Sequence, residues 1–281
     1  MQTWPIGVFA SIDAGYGVKL EVAKSLGVPT IQLHSPRHTP RTFEEAEKYK
    51  TRLLELGIKL TAVFGGFLGE SYADIPTVER TVGLVPRETR AMRVAEMKQI
   101  ADFALQLDCT VVGLHLGFVP HDAESADYDE MLTVTRDLCD YLESNGQALH
   151  LETGQEPADV LVQFIEATER KNLFINFDPA NMILYGVGDP IEALEKVGRF
   201  VRSVHCKDAK WAATPGIEWG VEVPLGDGDV NIEKYLITLK KIGYAGPLTI
   251  EREISQEPER QRAEIEHAVQ LLKNLKTKLG M

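Results

Sequence analysis

Four residues able to ligate a metal each close a short apolar run: Glu152 in HLETG, Asp178 in FINFDP, His205 in RSVHCKD and Glu251 in LTIERE. Three carboxylates gathered in one place repel one another, and uncompensated, at least one would have to keep its proton. A divalent cation removes that penalty and accounts for the single imidazole. Oxygen-rich ligation with one nitrogen suits Mn2+, Mg2+ or Co2+ better than it suits a structural zinc site, although Zn2+ stays within the set. The bland alternative is four unrelated polar residues, each capping a helix or paired with Arg or Lys.

These residues can meet only if the runs that carry them lie side by side. β-rich apolar runs at 6–10, 30–34, 60–64, 111–116, 148–152, 173–178, 201–205 and 248–251 read as strands apolar on both faces, as in a parallel sheet buried on both sides. Amphipathic stretches at 18–26, 43–56, 87–107, 128–145, 157–169, 191–197, 232–242 and 257–279 read as the helices between them. Gly57 sits where a C-cap belongs, Asn231 is a candidate N-cap, and Pro157 occupies a first-turn position. Eight strand–helix units in 281 residues predict an α/β fold, a single-domain (β/α)8 TIM barrel over residues 1–281. An open doubly wound sheet is disfavoured because no Gly-rich phosphate fingerprint follows the first strand. The barrel's active site belongs at the C-terminal strand ends, where strands five to eight end in the four residues. Segments 72–87 and 207–230 are the longest insertions.

Composition narrows the partners. The net charge of −12 opposes a polyanion, so no nucleic-acid partner is expected, and an acidic surface that favours solubility is the plain reading. Three cysteines, Cys109, Cys139 and Cys206, form no paired motif, which suits a reducing compartment. The N-terminal MQTWPIGVFA lacks a basic segment followed by an apolar one, and no run is long enough to span a bilayer. A cytoplasmic protein with no membrane partner is expected; self-association as a homo-oligomer is left open.

Several neighbours are candidate substrate contacts. His34 and His115 end strands two and four, so each should face the mouth and bind a substrate hydroxyl or a ligand carboxylate. Glu156 could touch substrate or stabilise the N-terminus of the following helix. The loop Pro224–Asp229, PLGDGD, could cradle an anion with its backbone amides, but a tight turn is the simpler reading. Trp211 and Trp219 could wall the site or form a subunit contact. Cys206 should point toward the helices, opposite to His205.

The segments HLGFVP, LETGQE, NFDPANMILYG-x-GDP, VHCKDAK and TIERE resemble the sugar phosphate isomerase/epimerase group, which has a xylose isomerase-like barrel and includes ketose 3-epimerases and hexulose-phosphate epimerases. The resemblance spans nearly the whole chain. It implies one divalent metal, Mn2+ foremost, held by Glu152, Asp178, His205 and Glu251, and a small sugar or sugar phosphate as substrate. It further implies that Glu152 and Glu251 act as acid and base through an enediolate, and that Lys207, in an H-x-K-D pattern, neutralises that charge or holds a phosphate. Two positions depart from the ketose 3-epimerase pattern. Asn181 stands where many members carry a histidine; it can bind a sugar oxygen but cannot donate a proton. CKDAKW replaces the segment that often supplies a substrate-gripping arginine. The alternatives are an inosose-type dehydratase on the same metal site, a sugar-binding protein without turnover, and, least favoured, an apurinic endonuclease.

Overall fold

The computed structural model describes residues 4–281. Residues 1–3, part of the stretch read above for a secretion signal, lie outside the described residues. The chain begins with β1 (Ile6–Ser11), α1 (Leu20–Ser25), β2 (Thr30–His34), α2 (Phe43–Leu56), β3 (Lys59–Phe64), α3 (Ile75–Thr81), α4 (Arg87–Gln106) and β4 (Val111–Leu114). It continues with α5 (Ala126–Ser144), β5 (Ala148–Glu152), α6 (Ala158–Thr168), β6 (Leu173–Phe177), α7 (Pro179–Tyr185), α8 (Pro190–Val197) and β7 (Val201–Cys206). Last come β8 (Asp208–Lys210), β9 (Val221–Val223), α9 (Ile232–Lys241), β10 (Leu248–Ile250) and α10 (Pro258–Leu279). Eight strands close a barrel in the order β1-β10-β7-β6-β5-β4-β3-β2, all neighbours parallel, as the alternation predicts.

Local signals set most boundaries. Thr42 caps α2 by accepting from the Glu45 N–H, and the helix stops at Gly57 with φ 65°, a conformation that glycine adopts without strain. Asn231 caps α9 through the Lys234 N–H. Ser125 caps α5, which starts the helix earlier than residue 128. Pro157 is the residue before α6 rather than in its first turn. Both insertions are ordered: 72–87 holds α3, capped by Asp74, and 207–230 holds the antiparallel β8–β9 hairpin.

The strands are not apolar on both faces. Leu149 and Leu151 join the large core beneath the helices, as do Ile31, Leu33, Ile175, Val204 and Cys206. Their alternating neighbours Gln32, His150, Asn176, Ser203 and Thr249 are buried on the inner face. Hydrogen bonds such as His150 Nδ1 to Ser203 Oγ at 2.7 Å make that polar interior tolerable. Above it Phe9, Ala62 and Phe64 form a small apolar cluster; Gly113 makes room, since a Cβ there would lie 2.5 Å from the Phe64 ring.

The PLGDGD amides do cradle an anion, but it is the chain's own. Asp208 accepts N–H bonds from Ala209 (3.0 Å), Gly226 (2.9 Å), Gly228 (3.1 Å) and Val230 (3.1 Å). All three cysteines are buried and free. Among the described residues no helix is long and apolar enough to cross a membrane. Asp208→Ala would strip four donors of their acceptor, so denaturant unfolding should show a loss of at least about 2 kcal/mol. An unchanged midpoint would mean that the loop holds itself.

Candidate metal centre

His205 stands on the inner face of β7, fully buried, with the Phe9 and Phe64 rings each 5.5 Å from its own. Its Nε2 lies 2.6 Å from Gln32 Oε1. That oxygen can only accept, so Nε2 carries the hydrogen. Gln32 is held in turn by donating to Asn176 Oδ1 at 3.1 Å. The other ring nitrogen, Nδ1, faces Glu152 Oε1 at 2.9 Å, Asp178 Oδ2 at 3.3 Å and Glu251 Oε2 at 3.3 Å. The four donor atoms lie within 4.8 Å of one another, and all four residues are buried.

Each carboxylate is oriented by its own surroundings. Asp178 directly follows β6 and caps α7: Oδ1 accepts from the Ala180 and Asn181 N–H groups at 2.8 and 3.0 Å, which leaves Oδ2 for the cluster. Glu152 ends β5. His115 accepts from Gln155 at Nδ1 (3.3 Å) and so offers its Nε2–H to Glu152 Oε2 at 3.2 Å. Asn181 Nδ2 donates to Glu152 Oε1 at 3.3 Å. Glu251, just past β10, accepts from Lys207 Nζ at 3.0 Å.

The electrostatics call for a cation at the centre. With Nε2–H pointing at Gln32, a neutral ring would aim a lone pair at three carboxylate oxygens. Burial works against charge on His205, yet Glu251 and Glu152 together lift its pKa well above the ordinary imidazole value. Burial likewise works against ionising Glu251, but His205 and Lys207 hold it well below the usual carboxylate range. A proton on Nδ1 would stand where these residues could instead hold a divalent ion, whose charge together with that of Lys207 would offset the three carboxylates. The donor set fits such an ion.

A cavity of about 540 Å3 opens over the cluster. Glu152, Glu251, His34, His115 and Asn181 line it, together with Tyr16, Arg37, Glu70, Tyr72, Tyr185 and Trp219. Trp219 packs edge-on against Tyr185, ring centres 4.6 Å apart, as one wall. Trp211 does not line the cavity and packs against the main core.

Two expected contacts lie elsewhere. Lys207 is buried and spends all three donors inside the protein, on Glu251 Oε2 (3.0 Å), Glu253 Oε2 (2.5 Å) and Asn181 Oδ1 (3.3 Å). It has none left for an enediolate or a phosphate. Glu156 neither lines the cavity nor sits inside a helix: its Oε1 accepts from the Val119 N–H at 2.8 Å, and burial pushes its carboxyl up to about 8. The sequence reading missed Gln32, Arg37 and Glu70. Alternation back from His34 would have put Gln32 on the inner face.

The chain belongs to the xylose isomerase-like TIM barrel family, whose model matches residues 20–275. It is 58% identical to a solved xylose isomerase domain protein from Planctomyces limnophilus, with TM-score 0.97 over 99% of each chain. An L-ribulose 3-epimerase structure, at 17% identity, shares the fold with TM-score 0.72 over 99% of this chain and 97% of that one. An inosose dehydratase of Clostridium perfringens is 25% identical over 143 residues, 47% of each chain. The matches span 38% to 57% of the length of the curated relatives.

Gln32→Met should weaken Mn2+ binding by about 10- to 100-fold, because the imidazole loses the partner that fixes its tautomer and direction. Calorimetric titration with Mn2+ checks this; unchanged affinity would reduce Gln32 to packing.

Proposed function

We propose that this chain is a divalent-metal-dependent isomerase or epimerase of a small ketose or sugar phosphate, with Mn2+ the preferred ion. The observation that carries the reading is one cluster of Glu152, Asp178, His205 and Glu251 in which both glutamates also line the cavity. Family membership and the 3-epimerases among the fold's neighbours, named for L-ribulose and D-psicose, support the substrate class. A cytoplasmic setting without a nucleic-acid or membrane partner is part of the reading, supported by the net charge of −12 and the free cysteines.

Held by the four residues, the ion would draw electron density from a carbonyl and the neighbouring hydroxyl oxygen, acidifying the C–H of the carbon that bears the hydroxyl. Glu152 or Glu251 then takes the proton from that carbon. The C–H electron pair becomes the C=C bond of an enediolate, and the carbonyl oxygen takes up the negative charge. If the other glutamate returns a proton to the same carbon from the opposite side, the product is the epimer. Return to the former carbonyl carbon, with the neighbouring hydroxyl giving up its proton to become the new carbonyl, shifts the carbonyl by one carbon and gives the aldose–ketose isomer when the reacting carbon is the terminal C1. His115 and Asn181 keep the Glu152 carboxylate aimed, and Lys207 does the same for Glu251. Asn181 offers no proton of its own.

The curated inosose dehydratases favour a second reading in which the same proton abstraction expels the hydroxyl one carbon further on, which leaves as water with a proton from the other glutamate. The assay is deuterium incorporation from D2O into D-fructose, D-psicose, D-tagatose, L-ribulose and their terminal phosphates. An exchanged epimer or isomer is the expected product, and a dehydrated one would favour the second reading. Glu152→Gln and Glu251→Gln should each slow exchange by about 10^2- to 10^4-fold or more with the circular dichroism unchanged. Full activity in either variant would remove the role given to that residue, and sugar binding without exchange would mean a binding protein.

A further inference from the structure

Arg37 is the one arginine or lysine among the described residues lining the cavity. Its side chain is half-buried, yet it makes no hydrogen bond among the described residues. Nε is buried without an acceptor, and Nη2 comes no closer to a carboxylate than 3.6 Å from Glu70 Oε2. The group lies over the Tyr16 ring, 4.8 Å from its centre. Its loop is fixed, because Asp13 accepts the N–H groups of Arg37 (2.7 Å), His38 (3.1 Å) and Thr39 (2.5 Å). Unspent donors on a fixed loop are ready for a ligand oxygen.

His34 supplies the complement. Its Nδ1 donates to the Ser35 carbonyl at 2.7 Å, so Nε2 presents a lone pair. Burial keeps the ring neutral, its pKa lowered to about 4. A Cβ built on Gly66 would lie 2.7 Å from His34 Nε2 and 3.1 Å from Arg37 Nη2. Donor and acceptor therefore both pack close to the Gly66 backbone, beside each other in the cavity wall. A hydroxyl satisfies both, accepting from Arg37 and donating to His34. An ionised phosphate oxygen has no hydrogen for His34 and would also meet Glu70.

The placement indicates which hydroxyl. In the closed barrel three strands separate β2 from β6 in either direction, so the loop after β2 stands across the mouth from Asp178. A ligand whose reacting end lies at the cluster would extend its far end toward Arg37. Resting on the sugar reading above, we propose that Arg37, His34 and Gly66 form a subsite for the hydroxyl at the end of the substrate remote from the reacting carbon. The favoured substrate then carries no phosphate there.

The test uses D-fructose, D-psicose and D-tagatose, each as free sugar, 6-phosphate and 6-deoxy analogue, in deuterium exchange and in calorimetry with Mn2+-loaded protein. Arg37→Met should raise KM for the free ketose by about 10-fold or more, with a smaller change in kcat and with Mn2+ binding retained as evidence of folding. The 6-deoxy analogue should bind weakly to the wild type and lose nothing further in Arg37→Met. His34→Gln, which keeps an acceptor, should retain more affinity than His34→Phe. An unchanged KM in Arg37→Met, or a 6-phosphate bound more tightly than the free sugar, would overturn the subsite. If the wild type exchanges no sugar, the isomerase reading falls and calorimetry still decides. Free-ketose binding that weakens in Arg37→Met supports the subsite, and no binding in the wild type overturns it.

Discussion

Three carboxylate oxygens converge on one buried imidazole nitrogen, and Gln32 prevents the ring from turning away. Nothing in this arrangement is stable without a positive charge at its centre. A proton on His205 meets that need in part; a divalent ion together with Lys207 would meet it more fully. The polar inner face of the barrel follows from the same constraint. Gln32 and Asn176 are buried because the imidazole needs a fixed acceptor behind it. His115 and Asn181 are where they are because the Glu152 carboxylate must be aimed.

Around that centre the chain repeatedly uses carboxylates as acceptors for backbone N–H groups. Asp13 fastens the loop after β2, and Asp208 fastens the loop before α9. Glu70 accepts from Phe67 and Gly83 at 2.8 and 2.9 Å, and Glu156 accepts from Val119 at 2.8 Å. Part of the acidic excess thus stiffens the mouth of the barrel rather than serving surface solubility alone. Fixed loops matter here because proton transfer to and from carbon depends on placing the base within hydrogen-bond reach.

The barrel was legible in the sequence because strand and helix periods alternate from end to end with little else between them. The four cluster residues were legible because each ends a strand, so one local rule places them at the same face. Gln32 was harder to see, since its partner lies 173 residues away. Lys207 and Glu156 were misjudged for a related reason: whether a charged group faces a ligand depends on which neighbours have already taken its hydrogen bonds. For Lys207 those neighbours are Glu251, Glu253 and Asn181, and only the folded chain brings them together. Arg37 carried no motif and became visible through what its guanidinium leaves unpaired.

One divalent ion binding in the cluster should displace a proton from His205. Calorimetric titration of the metal-free protein with Mn2+ near neutral pH, repeated in buffers of different ionisation enthalpy, measures both stoichiometry and protons released. One ion per chain with release of about one proton is the predicted result. Binding that does not saturate at one ion, or that releases no proton, would contradict it.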